Sequence, residues 1–261
     1  MRALWLSLLL AAPVSAQMLG NGAARYNTCV KLAADYPQRA MAYANNWRLD
    51  GGGSAARHCL ALAYYHNHDI TTALTHFEAA ATESERAGDG LAVRLWRQGA
   101  DAALMAERPD AALRYLARAV DLAAAAGQSK LVAALRVERA EALVGLERAP
   151  EAKAELDRAL AADPDVEDGW LLAATLARRM GDLPRAETAI LEAAKRAPES
   201  AAVQYEAGTI AAAGGKTDLA KAAWAAAAAA EPDSIPGKAA AKALSAMAVA
   251  GSNATAEAPP K

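Results

Sequence analysis

Five alanines set the architecture of this chain: Ala73, Ala112, Ala152, Ala186 and Ala220 head five copies of one pattern. Twelve residues before each stands a small residue: Ala61, Ala100, Ala140, Ala174 and Gly208. Four residues after each comes a large one: Phe77, Leu116, Leu156, Ile190 and Trp224. Seven after each lies another alanine, from Ala80 through Ala119, Ala159 and Ala193 to Ala227. Sixteen before stand Arg57, Trp96, Arg136, Trp170 and Gln204, and Pro164, Pro198 and Pro232 close the last three copies. Small residues where two helices touch, a large one filling the gap and a terminating proline describe an antiparallel helical hairpin. Hairpins of this kind bury their apolar faces only against neighbours, so they stack into a solenoid. The expected fold is all-α, a right-handed α-solenoid of five helix pairs over residues 54–234.

Composition supports helices and excludes some partners. Hydrophobic residues make up 54% of the chain but aromatics only 5%; the excess is alanine, the best helix former, which also lets helices approach closely. A net charge of −2 lacks the basic footprint of nucleic-acid binding.

The N-terminus reads as an export signal. Met1-Arg2 precedes an apolar run from Ala3 to Ala12, and small residues end at Ala16. This is the layout of a cleavable leader, with cleavage expected after Ala16. The run is too short to span a bilayer, and no later segment reaches the roughly 20 apolar residues a span needs. The alanine-rich composition suggests a Gram-negative source, which would make the destination periplasmic. Cys29 and Cys59, the two cysteines, then read as a disulfide. Closing that loop should stabilise the fold by about 3–4 kcal/mol.

Outside the repeats, residues 17–53 are expected to form an N-terminal helical cap. It starts with a short polar stretch to residue 23, and two helices follow, the first over about 24–36 and the break at Pro37. The first two copies are 39 and 40 residues from their successors and the later ones 34. The extra residues fall after the second helix, before Gly88 and Gly127, which predicts longer helices with glycine caps. Residues 235–250 read as a capping helix and 251–261 as a disordered tail. Ser54 is expected to cap the first helix of the first pair.

The fourth copy, with Trp170, Ala174, Gly181-Asp182, Ala186, Ile190, Ala193 and Pro198, resembles the tetratricopeptide repeat, as do the third and fifth copies. The resemblance implies a concave groove on the first helices of successive pairs that binds a peptide or protein segment. Carried over residue by residue, the groove is His58, Leu62, Tyr65 and His66, then Arg97, Asp101, Leu104 and Met105. It continues with Val137, Glu141 and Val144, then Leu171, Thr175, Arg178, Arg179, Tyr205 and Thr209. The cation–asparagine clamp that the family uses for a terminal carboxylate is not reproduced, since Asp101 follows Arg97 and Thr175 accompanies Arg178 and Arg179.

Catalytic chemistry finds little footing. The four histidines, His58, His66, His68 and His76, cluster in the first copy, but no further ligand has metal-site spacing. Gly214-Gly215-Lys216-Thr217 follows no strand and lacks the first glycine of a phosphate loop. No cofactor is implied. The expected role is a non-enzymatic scaffold that engages an envelope protein or peptide. Two alternatives stay open: a metal-dependent or enzyme-associated role of the histidine-rich copy, and a structural homo-oligomer.

Overall fold

A computed structural model describes residues 14–166 and 168–256, with side chains from residue 22 to residue 248. Among these residues the regular structure is helical throughout. The chain divides into two compact bodies, Met1–Leu122 and Ala123–Lys261.

In the N-terminal body, α1 (Val14–Asp35) and α2 (Pro37–Leu49) precede two hairpins. These are α3 (Gly53–His66) with α4 (Ile70–Ala87) and α5 (Ala92–Met105) with α6 (Pro109–Ala125). Helix α1 packs on both α2 and α3, and a disulfide joins Cys29 of α1 to Cys59 of α3 across a Cα–Cα distance of 6.0 Å. Trp47, Ala44 and Leu60 seal it from solvent. Helix α1 starts ten residues before the expected Ala24, so the stretch read as a polar start is helical. Alanine and leucine there outweigh its single glycine pair as helix determinants. The leader lies, up to residue 13, outside the described residues.

The C-terminal body holds three hairpins and a closing helix. They are α7 (Ser129–Gly145) with α8 (Ala149–Ala162), α9 (Gly169–Arg179) with α10 (Leu183–Arg196), and α11 (Ala201–Ala213) with α12 (Thr217–Ala230). Helix α13 (Ile235–Ala256) packs on α12 and α11 through Ala240, Leu244 and Met247. It runs six residues past the expected end at 250. The alanines of that stretch sustain the helix beyond Gly251, and the reading of 251–261 as wholly disordered gives way over 251–256. Residues 257–261 lie outside the described residues.

The five-fold pattern is the core. Each heading alanine is fully buried, as are Ala61, Ala100, Ala140 and Ala174. The large residues four positions on are 1–7% exposed, and the alanines seven positions on are 0–5% exposed. Ridges of one helix therefore meet small-residue grooves on its partner.

The position sixteen before each heading alanine, occupied by Arg, Trp or Gln, has a common chemistry. Every occupant is a side-chain N–H donor. Trp170 Nε1 donates to the carbonyl oxygen of Pro164 at 2.7 Å and Gln204 Nε2 to that of Pro198 at 2.9 Å. Arg57, Trp96 and Arg136 donate instead to Glu83, Glu85 and Glu155. Where a proline closes the preceding copy, the donor reaches that proline's carbonyl, and where none does, a glutamate of a second helix accepts instead.

Hairpin turns share a left-handed residue five positions before each heading alanine: His68, Glu107, Glu147, Gly181 and Gly215, with φ between 56° and 79°. That conformation turns the chain so that the amides ending the first helix reach back to its carbonyls, as Arg108 N does to Ala103 O at 2.8 Å. Asp69 and Asp182 then cap the second helix by accepting from Thr72 N and Arg185 N.

The long second helices α4 and α6 match the extra spacing, with Gly88 left-handed at the end of α4. The loop after α4 is fastened by Asp89, which accepts from Ser54 Oγ at 2.7 Å, from Ser84 Oγ and from Leu91 N at 3.0 Å. Ser54 therefore does not cap α3, whose N-cap is Gly52. Its hydroxyl is turned towards the loop, and the N-cap role passes to a residue with no side chain.

Candidate functional site

In the C-terminal body, α9 lies against both α7 and α11, so the first helices of three successive hairpins form one face. The small residues of the pattern on these helices, Ala140, Ala174 and Gly208, are sealed behind it. Towards solvent the face presents Glu141, Thr175, Arg179, Tyr205 and Thr209, each exposed or half-buried. Val137, expected on this face, is 5% exposed, packed beneath the start of α9, where a β-carbon on Gly169 would meet the Val166 side chain at 2.7 Å and Val137 at 3.7 Å.

Arg178 is not a free cation. Its Nε donates to Glu206 Oε1 at 2.6 Å and its Nη2 to Oε2 at 3.3 Å, which ties α9 to α11. Glu206 is 5% exposed, and the forked pair satisfies a carboxylate that burial alone would destabilise. Arg179 has no such partner among the described residues and stays exposed. Thr209 Oγ1 donates to Tyr205 O at 2.9 Å, and Trp224 Nε1 donates to the same carbonyl at 3.2 Å. These bonds fix the Tyr205 backbone, and its half-buried side chain packs against the cluster around Trp224. Partial burial, and then the charge of Asp168, raise the Glu141 carboxyl above its usual range.

In the N-terminal body, the corresponding helices α3 and α5 carry a different surface. The Tyr65 and His66 rings meet edge-on at 5.7 Å. Leu104 is 38% exposed and Met105 76%, while Arg97 and Asp101 are exposed beside them on α5. His58, expected in the groove, is 1% exposed. Helix α1 covers it: Tyr26 stacks on its ring, and the Tyr26 hydroxyl meets Nδ1 at 2.8 Å. Sequence spacing placed His58 correctly on its helix but could not show that α1 lies over that position.

The histidines do not converge. His58 is held by Tyr26 and Phe77, and His76 stacks on Tyr64 at 5.2 Å. Among the described residues no three histidine, cysteine, aspartate or glutamate side chains are placed to hold a metal ion. Among them, too, no helix is long and apolar enough to cross a membrane.

Comparison with known proteins identifies the pattern. The tetratricopeptide-repeat family model matches residues 137–201 and 171–235. No curated protein matches the sequence. Among solved structures, PilF of Pseudomonas aeruginosa superposes with a TM-score of 0.58 at 13% identity, covering 84% of this chain and 97% of its own. PilW, described as a type IV pilus biogenesis factor, gives 0.59 at 19% identity, covering 82% and 97%. YrrB, described as having an unusual peptide-binding site, gives 0.51 at 19% identity, covering 74% and 96%. At these identities the likeness is one of fold. Residues 137–235, which hold the third to fifth hairpins, match the tetratricopeptide-repeat family model, and the chain has the all-α fold of solved tetratricopeptide-repeat structures such as YrrB.

Proposed function

We propose that the protein is an exported, non-enzymatic scaffold of the periplasm that holds an extended segment of an envelope protein in the groove of its first helices. The observation that carries the reading is the contrast on α7, α9 and α11. The small pattern residues Ala140, Ala174 and Gly208 are sealed, while outward positions between them keep a mixed hydroxyl, carboxylate, guanidinium and aromatic surface. Such a surface suits main-chain and side-chain contacts to a peptide. Tetratricopeptide neighbours with pilus-biogenesis and peptide-binding descriptions accord with it.

The test is a photo-crosslinking amino acid placed singly at Met105, Arg179 and Thr209 in the source cells, with Leu191 and Lys195 on α10 as controls. A partner crosslinked from the groove positions and not from α10 supports the reading. Crosslinks from α10 alone, or none from the groove, would sink it. Fractionation of the tagged protein tests the location separately. A self-associating scaffold is a second reading, since Leu191 and Leu219 on two second helices of the C-terminal body are 63% and 62% exposed. Light scattering that gives a monomer at every concentration removes it.

A further inference from the structure

Asp168 is the residue that the repeat geometry leaves unused. Among the described non-glycine residues with left-handed backbone, His68, Glu107 and Glu147 occupy hairpin turns; Asp168, at φ 57°, does not. It stands at the N-cap of α9, where a carboxylate ordinarily accepts from the helix's first amides. Its side chain makes no such bond. It is exposed, and it has no ion pair among the described residues. Its charge reaches Glu141 on α7, whose carboxyl is raised first by burial and then by Asp168. Two carboxylates on neighbouring helices thus repel one another. Strain and repulsion of this kind persist where the surroundings enforce them, and they gather at binding sites.

Beside Asp168 opens a cleft of about 410 Å³ between α9, α10 and the start of α11. Val166, Leu171, Ala193 and Val203 give it apolar walls, with Trp170 and Arg196 at one side. Arg196 shows how this surface treats a cation. Its guanidinium lies 5.4 Å from the Trp170 ring centroid and donates to Asp165 at 3.0 Å. An aromatic face and a carboxylate therefore already hold one long cationic side chain. Asp165 is matched by Arg196; Asp168 has no equivalent.

We propose that this cleft receives a lysine or arginine side chain of the bound partner segment, its aliphatic stem along Leu171 and Val203 and its charge at Asp168, next to Glu141. The proposal rests on the groove reading, because α7, α9 and α11 carry both, and it fixes the partner's chemistry as basic.

The experiment is calorimetric titration of the purified protein with end-blocked octalysine and octaglutamate peptides at low and moderate salt. Octalysine is expected to bind, and to bind at least tenfold more weakly to Asp168→Asn and to Glu141→Gln. Asp218→Asn, on α12, should bind as the parent does. Because Asp168 in the cleft and Glu141 on α7 both expose their side chains, the variants should melt with the parent, which separates lost binding from lost fold. Equal octalysine affinity in all four proteins, or no octalysine binding to the parent, overturns the proposal. Preference for octaglutamate overturns it as well, yet leaves the groove reading standing with the opposite polarity. Loss of groove crosslinks in cells would instead remove the groove reading itself.

Discussion

Gly208 of α11 is fitted to Trp224 of α12: a methyl group built on the glycine would lie 2.5 Å from the indole Cδ1 and 2.6 Å from Nε1. The other four hairpins put alanine at this position opposite phenylalanine, leucine or isoleucine. The one glycine faces the one tryptophan, so the pair conserves the volume between helices rather than the residue types. Gly208→Ala should destabilise the C-terminal body by about 1–3 kcal/mol, the usual range for overpacking. Trp224→Leu should cost a comparable amount by opening a cavity. The double variant, with the Ala–Leu pairing of Ala100 with Leu116, should recover much of the loss. Denaturant unfolding of the four proteins measures the coupling, and strict additivity would contradict the fit.

The left-handed turn position offers a prediction of the opposite sign. Glu107 and Glu147 hold φ at 56° and 59° with a β-carbon present, where Gly181 and Gly215 do the same without one. A left-handed residue with a side chain costs about 1–2 kcal/mol, partly offset by the entropy that glycine gives up on folding. Glu107→Gly and Glu147→Gly should therefore each stabilise by about 0.5–1 kcal/mol, and Gly181→Ala should destabilise by a similar amount. Thermal melting reads all three. Stabilisation by Gly181→Ala would show that the turn tolerates a side chain freely.

The repeat was legible because packing between paired helices is a matter of volume at fixed spacing, and volume is written directly in residue type. The disulfide between Cys29 and Cys59 was legible for a similar reason, since the two cysteines of a chain whose start reads as an export signal have one simple pairing. What hid from the sequence was contact between elements far apart along it. Nothing local announces that Tyr26 covers His58, that Glu206 consumes Arg178 or that Asp89 takes the hydroxyl of Ser54. The signal missed at the position sixteen before each alanine was chemical. Arginine, tryptophan and glutamine look unrelated by size or charge, but all three carry a side-chain N–H. Asp168 could have been singled out as an acidic residue before the glycine that opens α9, although its backbone conformation could not.

That shared donor can be tested at Trp170. Trp170→Phe keeps most of the ring and removes the hydrogen bond to Pro164, leaving a carbonyl near the surface with access to water. The expected loss is about 1 kcal/mol, typical of one neutral hydrogen bond. Trp170→Gln, which borrows the residue used at Gln204, should retain the bond while giving up aromatic packing and the contact with Arg196. If phenylalanine proves as stable as the parent, the N–H has no structural weight and only the ring matters.

His58 should make the N-terminal body sensitive to acid. It is 1% exposed, and burial, then the positive charge of Arg94, bring its pKa down from 6.5 to about 4. Tyr26 meets it from α1, Phe77 from α4 and Arg94 from α5. The unfolded chain therefore binds a proton on His58 between about pH 6.5 and 4 that the folded chain refuses. By linkage, stability rises with pH across that window and is lost as pH falls through it. The depression of about 2.5 units, 6.5 less 4, corresponds to roughly 3 kcal/mol at most. Carboxylates held low by hydrogen bonds, such as Glu85 and Asp89, push in the same direction at lower pH, so the parent alone cannot isolate the histidine. His58→Gln can accept from Tyr26 without titrating. Its stability relative to the parent should be constant above pH 7 and improve steadily as pH drops from 6.5 to 4. Parallel pH profiles for the two proteins would mean that His58 takes up its proton in place, with the Tyr26 contact and the α1 cover rearranging at little cost.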